Sequence, residues 1–312
     1  MKLSFRKTST ILAFLLGLSS VATAWSAQTP SPDTVPVSVV VSVEAKHGKD
    51  VPSVTREDVR VFKGHDRLQA TDWVPLQSDR SGLELFVLID EASGVDVASQ
   101  FDDLRHFMEA QPSTTSIAVG YLQFGSVQLA RNFTTDHSAA EKALRIPVAS
   151  LGFGSSPFLS IADAIKHWPE GPNRRAIFLI SDGVDPLQPG IVNSYLDAAI
   201  AGAQRTGTQI SSIYFSRGGH MGHTYWRINQ GQTNLSRLAD ETGGEGYFQG
   251  FGNPVSFAPY LDEFADRLNH QYKLTFAIKA DKKPQYQHIR LETEVPNAEL
   301  VTADKVYVPA AK

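Results

Sequence analysis

Cysteine is absent from all 312 residues. That excludes disulfides, thiolate metal sites and a cysteine nucleophile, and leaves stability to the hydrophobic core. Excess positive charge is lacking too, because 29 basic residues face 33 acidic ones for a formal charge of −4. Nucleic acid is therefore a poor partner, since phosphate binding needs a basic surface. Beyond the amino terminus no apolar run is long enough to cross a bilayer. Familiar catalytic signatures are also missing. No H-E-x-x-H occurs, and residues 152–156, GFGSS, are not G-x-S-x-G and follow no strand that would present Ser155 on a sharp turn. The turn DEASG, residues 90–94, is not G-x-G-x-x-G, and its acid would repel a pyrophosphate. The chain is expected not to be an enzyme.

Lys2, Arg6 and Lys7 precede an uncharged apolar run at 11–18 and then Ala22-Thr23-Ala24. This pattern predicts a secretory signal peptide over 1–24, and hence a periplasmic or secreted protein. Its removal moves the formal charge to −7, with 26 basic residues against 33 acidic ones. Residues 25–34, rich in Pro, Ser and Thr, are expected to be a disordered linker.

The centre of the chain is LELFVLIDEASG, residues 83–94. An apolar run closed by Asp90 suits a strand buried on both faces of a parallel sheet. Val97, Phe101, Leu104 and Met108 then recur at helical spacing. A second such run, RAIFLISD at 175–182, closes on Asp182 and is followed by Gly183. Ligands of open α/β sheets bind at the carboxyl ends of strands, so neighbouring placement of these two strands would bring Asp90 and Asp182 to one spot. Two adjacent carboxylates repel unless a cation or a proton relieves them.

These residues resemble a von Willebrand factor type A domain, and the whole chain is similar to the secreted VWFA-related proteins of acidobacteria. The resemblance implies a D-x-S-x-S turn after the first strand, a hydroxyl from a later loop and an Asp closing the fourth strand. Together these would hold Mg²⁺ or Mn²⁺, with an open position for an acidic group of a protein or cell-surface ligand. Laid on residues 90–94, the motif keeps Asp90 and loses both serines, with Ser93 on the intervening position. Ser155 or Ser156 stands where the loop hydroxyl belongs, and Asp182 matches the fourth-strand acid. The implied site is thus a degenerate metal-ion-dependent adhesion site built on Asp90, Ser93, Ser155, Ser156 and Asp182. The other reading is that the two acids cap loops without metal.

Around this centre the pattern predicts a six-stranded, mostly parallel, doubly wound α/β domain over 83–270, ordered strand, helix, strand, strand, helix, helix, strand, helix, strand, helix, strand, helix. Gly125-Ser126 is expected to join the second and third strands as a hairpin, giving one antiparallel edge. Apolar, β-branched runs at 35–43, 59–62 and 68–76 and at 272–278, 289–295 and 300–308 predict a second unit. It is a β-sandwich of about six strands assembled from residues 35–78 and 271–312.

One further stretch is unusual. Residues 217–231, RGGHMGHTYWRINQG, read as a long aromatic loop on the rim that carries Asp90 and Asp182. His220, His223, Tyr225, Trp226 and Arg227 are its candidate partner-binding residues. His220 and His223 also admit a zinc reading, with Glu245 or Asp182 as third ligand and metal-assisted hydrolysis as its function. That spacing ligates when it lies on a helix, and the glycines around the two histidines argue for loop; packing of Trp226 and His, or partner contact, is the other reading.

Overall fold

The computed structural model describes residues 34–77, 81–148, 156–217 and 224–311. The expected signal peptide and all but the last residue of the expected linker lie outside them.

The chain opens with β1 (Thr34–Ala45), β2 (Val59–Lys63), β3 (Asp66–Leu68) and β4 (Ala70–Pro75). The central part then runs β5 (Leu83–Asp90), α1 (Phe101–Glu109), β6 (Thr115–Gln123), β7 (Ser126–Thr134), α2 (His137–Glu141), α3 (Pro157–His167) and β8 (Arg174–Ser181). It continues through α4 (Ser194–Thr206), β9 (Thr208–Tyr214), α5 (Tyr225–Thr242), β10 (Gly246–Tyr247) and α6 (Ala258–Asn269). The carboxyl-terminal strands are β11 (Gln271–Lys279), β12 (Gln285–His288), β13 (Arg290–Thr293), β14 (Ala298–Val301) and β15 (Lys305–Val308).

The central sheet has the order β10-β9-β8-β5-β6-β7. All its pairings are parallel except β6 with β7. Alternate residues of β5 serve opposite faces. Leu83, Leu85, Val87 and Ile89 pack in a core with side chains of α1, α2 and α6, while Phe86 and Leu88 join α3, α4 and α5. A strand covered on both sides is apolar along most of its length, which is why β5 shows no polar alternation apart from the half-buried Glu84 near its start. Element order and antiparallel edge agree with those expected from the sequence.

The remaining strands form three antiparallel sheets, ordered β14-β1-β11-β4, β13-β2-β3 and β12-β15. They share one core, in which Val37 and Val41 of β1, Val61 of β2, Leu274 and Phe276 of β11 and Val306 and Val308 of β15 are buried. Two of the predicted strands are in fact pairs of shorter ones. The 68–76 run divides at Gln69, where β3 pairs with β2 and β4 with β11. The 300–308 run divides after Val301, so that β14 pairs with β1 and β15 with β12. Each break lets the chain change sheets at a corner, a bend that apolar periodicity does not register. Arg267 of α6, itself buried, reaches Glu44 of β1 and the Gly244 carbonyl, joining the central sheet's helices to the antiparallel strands.

Candidate functional site

β5 and β8 lie side by side with Ile89 opposite Ile180, so Asp90 and Ser181 come next in register and Asp182 follows. The Ser181 hydroxyl donates to Asp90 Oδ2 at 2.7 Å, and the Ala92 N–H donates to Oδ1 at 3.0 Å. Ser181 also accepts the Gly183 N–H at 3.1 Å, while Asp182 Oδ1 accepts the Val184 N–H at 2.9 Å. Asp90 is 1% exposed and Asp182 is buried beside it. Burial, and then the charge of Asp182, push the Asp90 carboxyl up to about 7 against the pull of its two hydrogen bonds. The two acids thus act on each other across adjacent strand ends.

The hydroxyls implied by the adhesion-type resemblance point elsewhere. Ser93 ends the 3-10 turn Glu91–Ser93, and its buried Oγ donates to the Phe215 carbonyl at 3.5 Å. Ser156 caps α3, accepting the Leu159 N–H at 3.2 Å and donating to Asp185 Oδ2 at 2.6 Å. Pro157 stands at the first helical position, where its missing N–H costs nothing. Ser155 lies outside the described residues, as do His220 and His223.

Two acids absent from the expected set are deeply engaged. Asp185 is buried and collects Ser156, the Asn193 amide at 3.1 Å and the N–H groups of Leu187 and Gln188. Glu91 is buried completely and pairs with Arg145 at 2.5 Å, and the Arg145 guanidinium lies 3.8 Å over the Tyr121 ring. Asp185 had a sequence signal, since an Asp with Pro one residue on is a turn former. Glu91 had none, because a buried acid one residue from another looks like a surface charge until its arginine partner arrives from 54 residues away.

Octahedral Mg²⁺ keeps several waters and is held by one or two protein carboxylates, supplemented here by any free hydroxyl. Both Asp90 oxygens already accept hydrogen bonds, and the hydroxyls of Ser93 and Ser156 serve Phe215 and Asp185. Among the described residues no group of three or more His, Asp or Glu side chains is placed to hold a metal ion. Ser93 and Ser156 are thus engaged away from the Asp90–Asp182 pair. The raised Asp90 carboxyl holds a proton more readily, and that proton relieves the Asp90–Asp182 repulsion.

The stretch expected to be a loop is in large part helix. Thr224 caps α5, and Tyr225, Trp226 and Arg227 form its first turn. Gly231, which suggested a loop, sits inside the helix because it touches the Asp182 turn. A Cβ there would fall 2.0 Å from the Asp182 carbonyl oxygen, and one on Gly183 would fall 2.3 Å from the Gly231 carbonyl oxygen. The helix thereby seats its first turn on the rim. Tyr225 and Trp226 are 64% and 58% exposed. On one side Tyr225 meets Phe251 with ring centroids 4.8 Å apart, and Gln232 donates to the Gly250 carbonyl. On the other, Gln230 donates to the carbonyls of Pro189 and Gly190, next to Ile191 and Val192, which are 95% and 81% exposed. The carboxyl end of the sheet therefore presents a broad apolar and aromatic surface.

No model of a known protein family matches the chain, and neither does any curated protein. Solved structures do resemble it. An aerotolerance-related membrane protein from Bacteroides fragilis is 14% identical, over 60% of this chain and 99% of that one, with a TM-score of 0.45. A von Willebrand factor type A protein from Catenulispora acidiphila is 10% identical, over 92% and 75%, with a TM-score of 0.45. The ArnB paralog VWA2 from Sulfolobus acidocaldarius is 9% identical, over 89% and 76%, with a TM-score of 0.40. Independently of these, the sheet order and the single antiparallel edge are those of a doubly wound, mostly parallel α/β domain.

Proposed function

We propose that this chain is an exported, non-enzymatic binding module that recognises a protein or surface ligand through the carboxyl rim of its central sheet, without a metal ion. The exposed surface of Tyr225, Trp226, Phe251, Ile191 and Val192 carries this reading. Large apolar side chains gathered on one rim and left in water mark an interaction site more often than a neutral surface. Aromatic residues at its centre are the type that dominates binding energy. The buried network of Asp90, Ser181, Asp182, Ser156 and Asp185 then serves as a scaffold that holds the rim loops in place.

Calorimetric titration of the mature chain with Mg²⁺, Mn²⁺ and Zn²⁺ tests the metal-free part. Silence with all three is expected. Saturable Mg²⁺ or Mn²⁺ uptake lost in Asp90→Ala would instead establish the adhesion-type site, and Zn²⁺ uptake lost in His223→Ala would point to the hydrolase.

A further inference from the structure

Gly94 stands on the last position of the degenerate turn after β5, and Arg217 has taken the space above it. A Cβ built on Gly94 would lie 2.9 Å from Arg217 Cγ and 3.3 Å from both Cβ and Cδ. Gly94 itself has φ +73° and ψ −173°, a conformation that disfavours any side chain. The aliphatic stem of Arg217 is thus laid across the turn that begins at Asp90, and its residue is exposed. Among the described residues Arg217 makes no ion pair, and the contact found for its side chain is the passage of the stem over Gly94.

The residue before Arg217 is tied to a loop that carries exposed apolar side chains. Asn253 clasps the neighbouring Ser216 backbone, accepting its N–H at 2.8 Å and donating to its carbonyl at 2.7 Å. Two residues earlier Phe251 packs on Tyr225. Val255, 87% exposed, follows on the same loop, whose carbonyl at that residue accepts from Gln100 at 3.2 Å. Val95, beside Gly94, is exposed as well. The planar fork of an arginine matches a carboxylate bidentately.

We propose that Arg217 is the positive charge through which the rim takes an acidic side chain of a partner protein, with Tyr225, Phe251 and Val255 receiving the apolar residues that flank it. This rests on the binding reading above and names the partner's chemistry: a protein segment with a carboxylate set among aromatic or aliphatic side chains. An anionic membrane fits less well. Membrane-surface attraction takes a cluster of several Lys and Arg, whereas this rim offers Arg217 and Arg227 on a chain of net charge −4.

A phage-displayed random dodecapeptide library, panned against the full mature chain in EDTA, tests the proposal. Enriched peptides should carry Asp or Glu next to an aromatic or aliphatic residue. A synthetic copy of one should lose at least about tenfold in affinity towards Arg217→Gln, which keeps most of the stem, and regain part of it with Arg217→Lys. Peptides without an acid whose binding falls in Trp226→Ala but not in Arg217→Gln would overturn the role of Arg217 and leave the rim reading standing. Failure to enrich any peptide sensitive to Trp226→Ala or Arg217→Gln would overturn both. Binding to phosphatidylserine vesicles that is lost in Arg217→Gln, with no peptide enriched, would replace the protein partner by a lipid surface.

Discussion

Gly231 in the second turn of α5 touches the backbone of Asp182 at the end of β8, with no room for a methyl group between them. Helix propensity alone predicts that Gly231→Ala stabilises the chain by about 1 kcal/mol. Contact with the Asp182 carbonyl predicts the opposite, a loss of about 1–3 kcal/mol from overpacking. Packing should win, because the obstacle is backbone at 2.0 Å rather than a movable side chain. Urea unfolding of the variant decides the sign.

The Asp90 carboxyl supplies a pH dependence. Its folded value, about 7, lies above the 3.8 of an unperturbed Asp, so the folded chain holds a proton that the unfolded chain releases. Its contribution is complete below about pH 4 and is lost as pH rises through about 7. An amide in Asp90→Asn can still accept from Ala92 and donate to Ser181, yet cannot ionise. The difference in unfolding free energy between variant and parent should therefore move in favour of the variant from pH 4 to pH 8, by on the order of 2–4 kcal/mol. A difference that stays level across this range would show that Asp90 titrates normally.

Glu91 and Arg145 make an unequal pair, since the acid is completely buried while the arginine side chain is 36% exposed. Arg145→Met leaves a buried carboxylate without its counter-charge and should cost about 3–5 kcal/mol. Combining it with Glu91→Met should recover much of that loss. Chemical denaturation of both single variants and the double variant closes the cycle, and purely additive losses would contradict the coupling.

Trp226→Ala and Tyr225→Ala should leave folding nearly untouched, within about 0.5 kcal/mol, because both side chains stand in water. Their thermal midpoints should match the parent's while peptide binding falls.

Truncation after His270 removes β11, which pairs with β1 from Lys279 opposite Thr34 to Gln271 opposite Ser42. The shortened chain should expose β1 as an open apolar edge and aggregate. A soluble monomer by size-exclusion chromatography would show that the amino-terminal strands stand by themselves.

The succession of strands and helices in the central sheet was legible because its inner strands are apolar runs and its longer helices carry an apolar stripe, several of them with a cap. Asp136, Ser156 with Pro157, and Gly243 mark helix ends by local chemistry alone. The start of α5 was hidden because Gly231 serves a long-range contact, and a glycine's reason does not appear in its neighbours. Corners at Gln69 and after Val301 escaped because apolar residues resume on both sides of a short polar break, so that two strands read as one. At the site, Asp90 and Asp182 were found from strand position. The targets of Ser93 and Ser156, the carbonyl of Phe215 and the carboxylate of Asp185, depend on tertiary geometry that residue type does not encode.

The pairing of β1 with β11 sets a schedule for biosynthesis. Gln271 donates to Ser42 across 229 positions of sequence. At 5–20 residues per second a ribosome takes roughly 10–45 s to traverse that interval. Throughout it the valine-rich first strand has no central partner to lie against. A chaperone that shields this strand during the delay would raise the yield of folded protein, although it need never touch the finished fold.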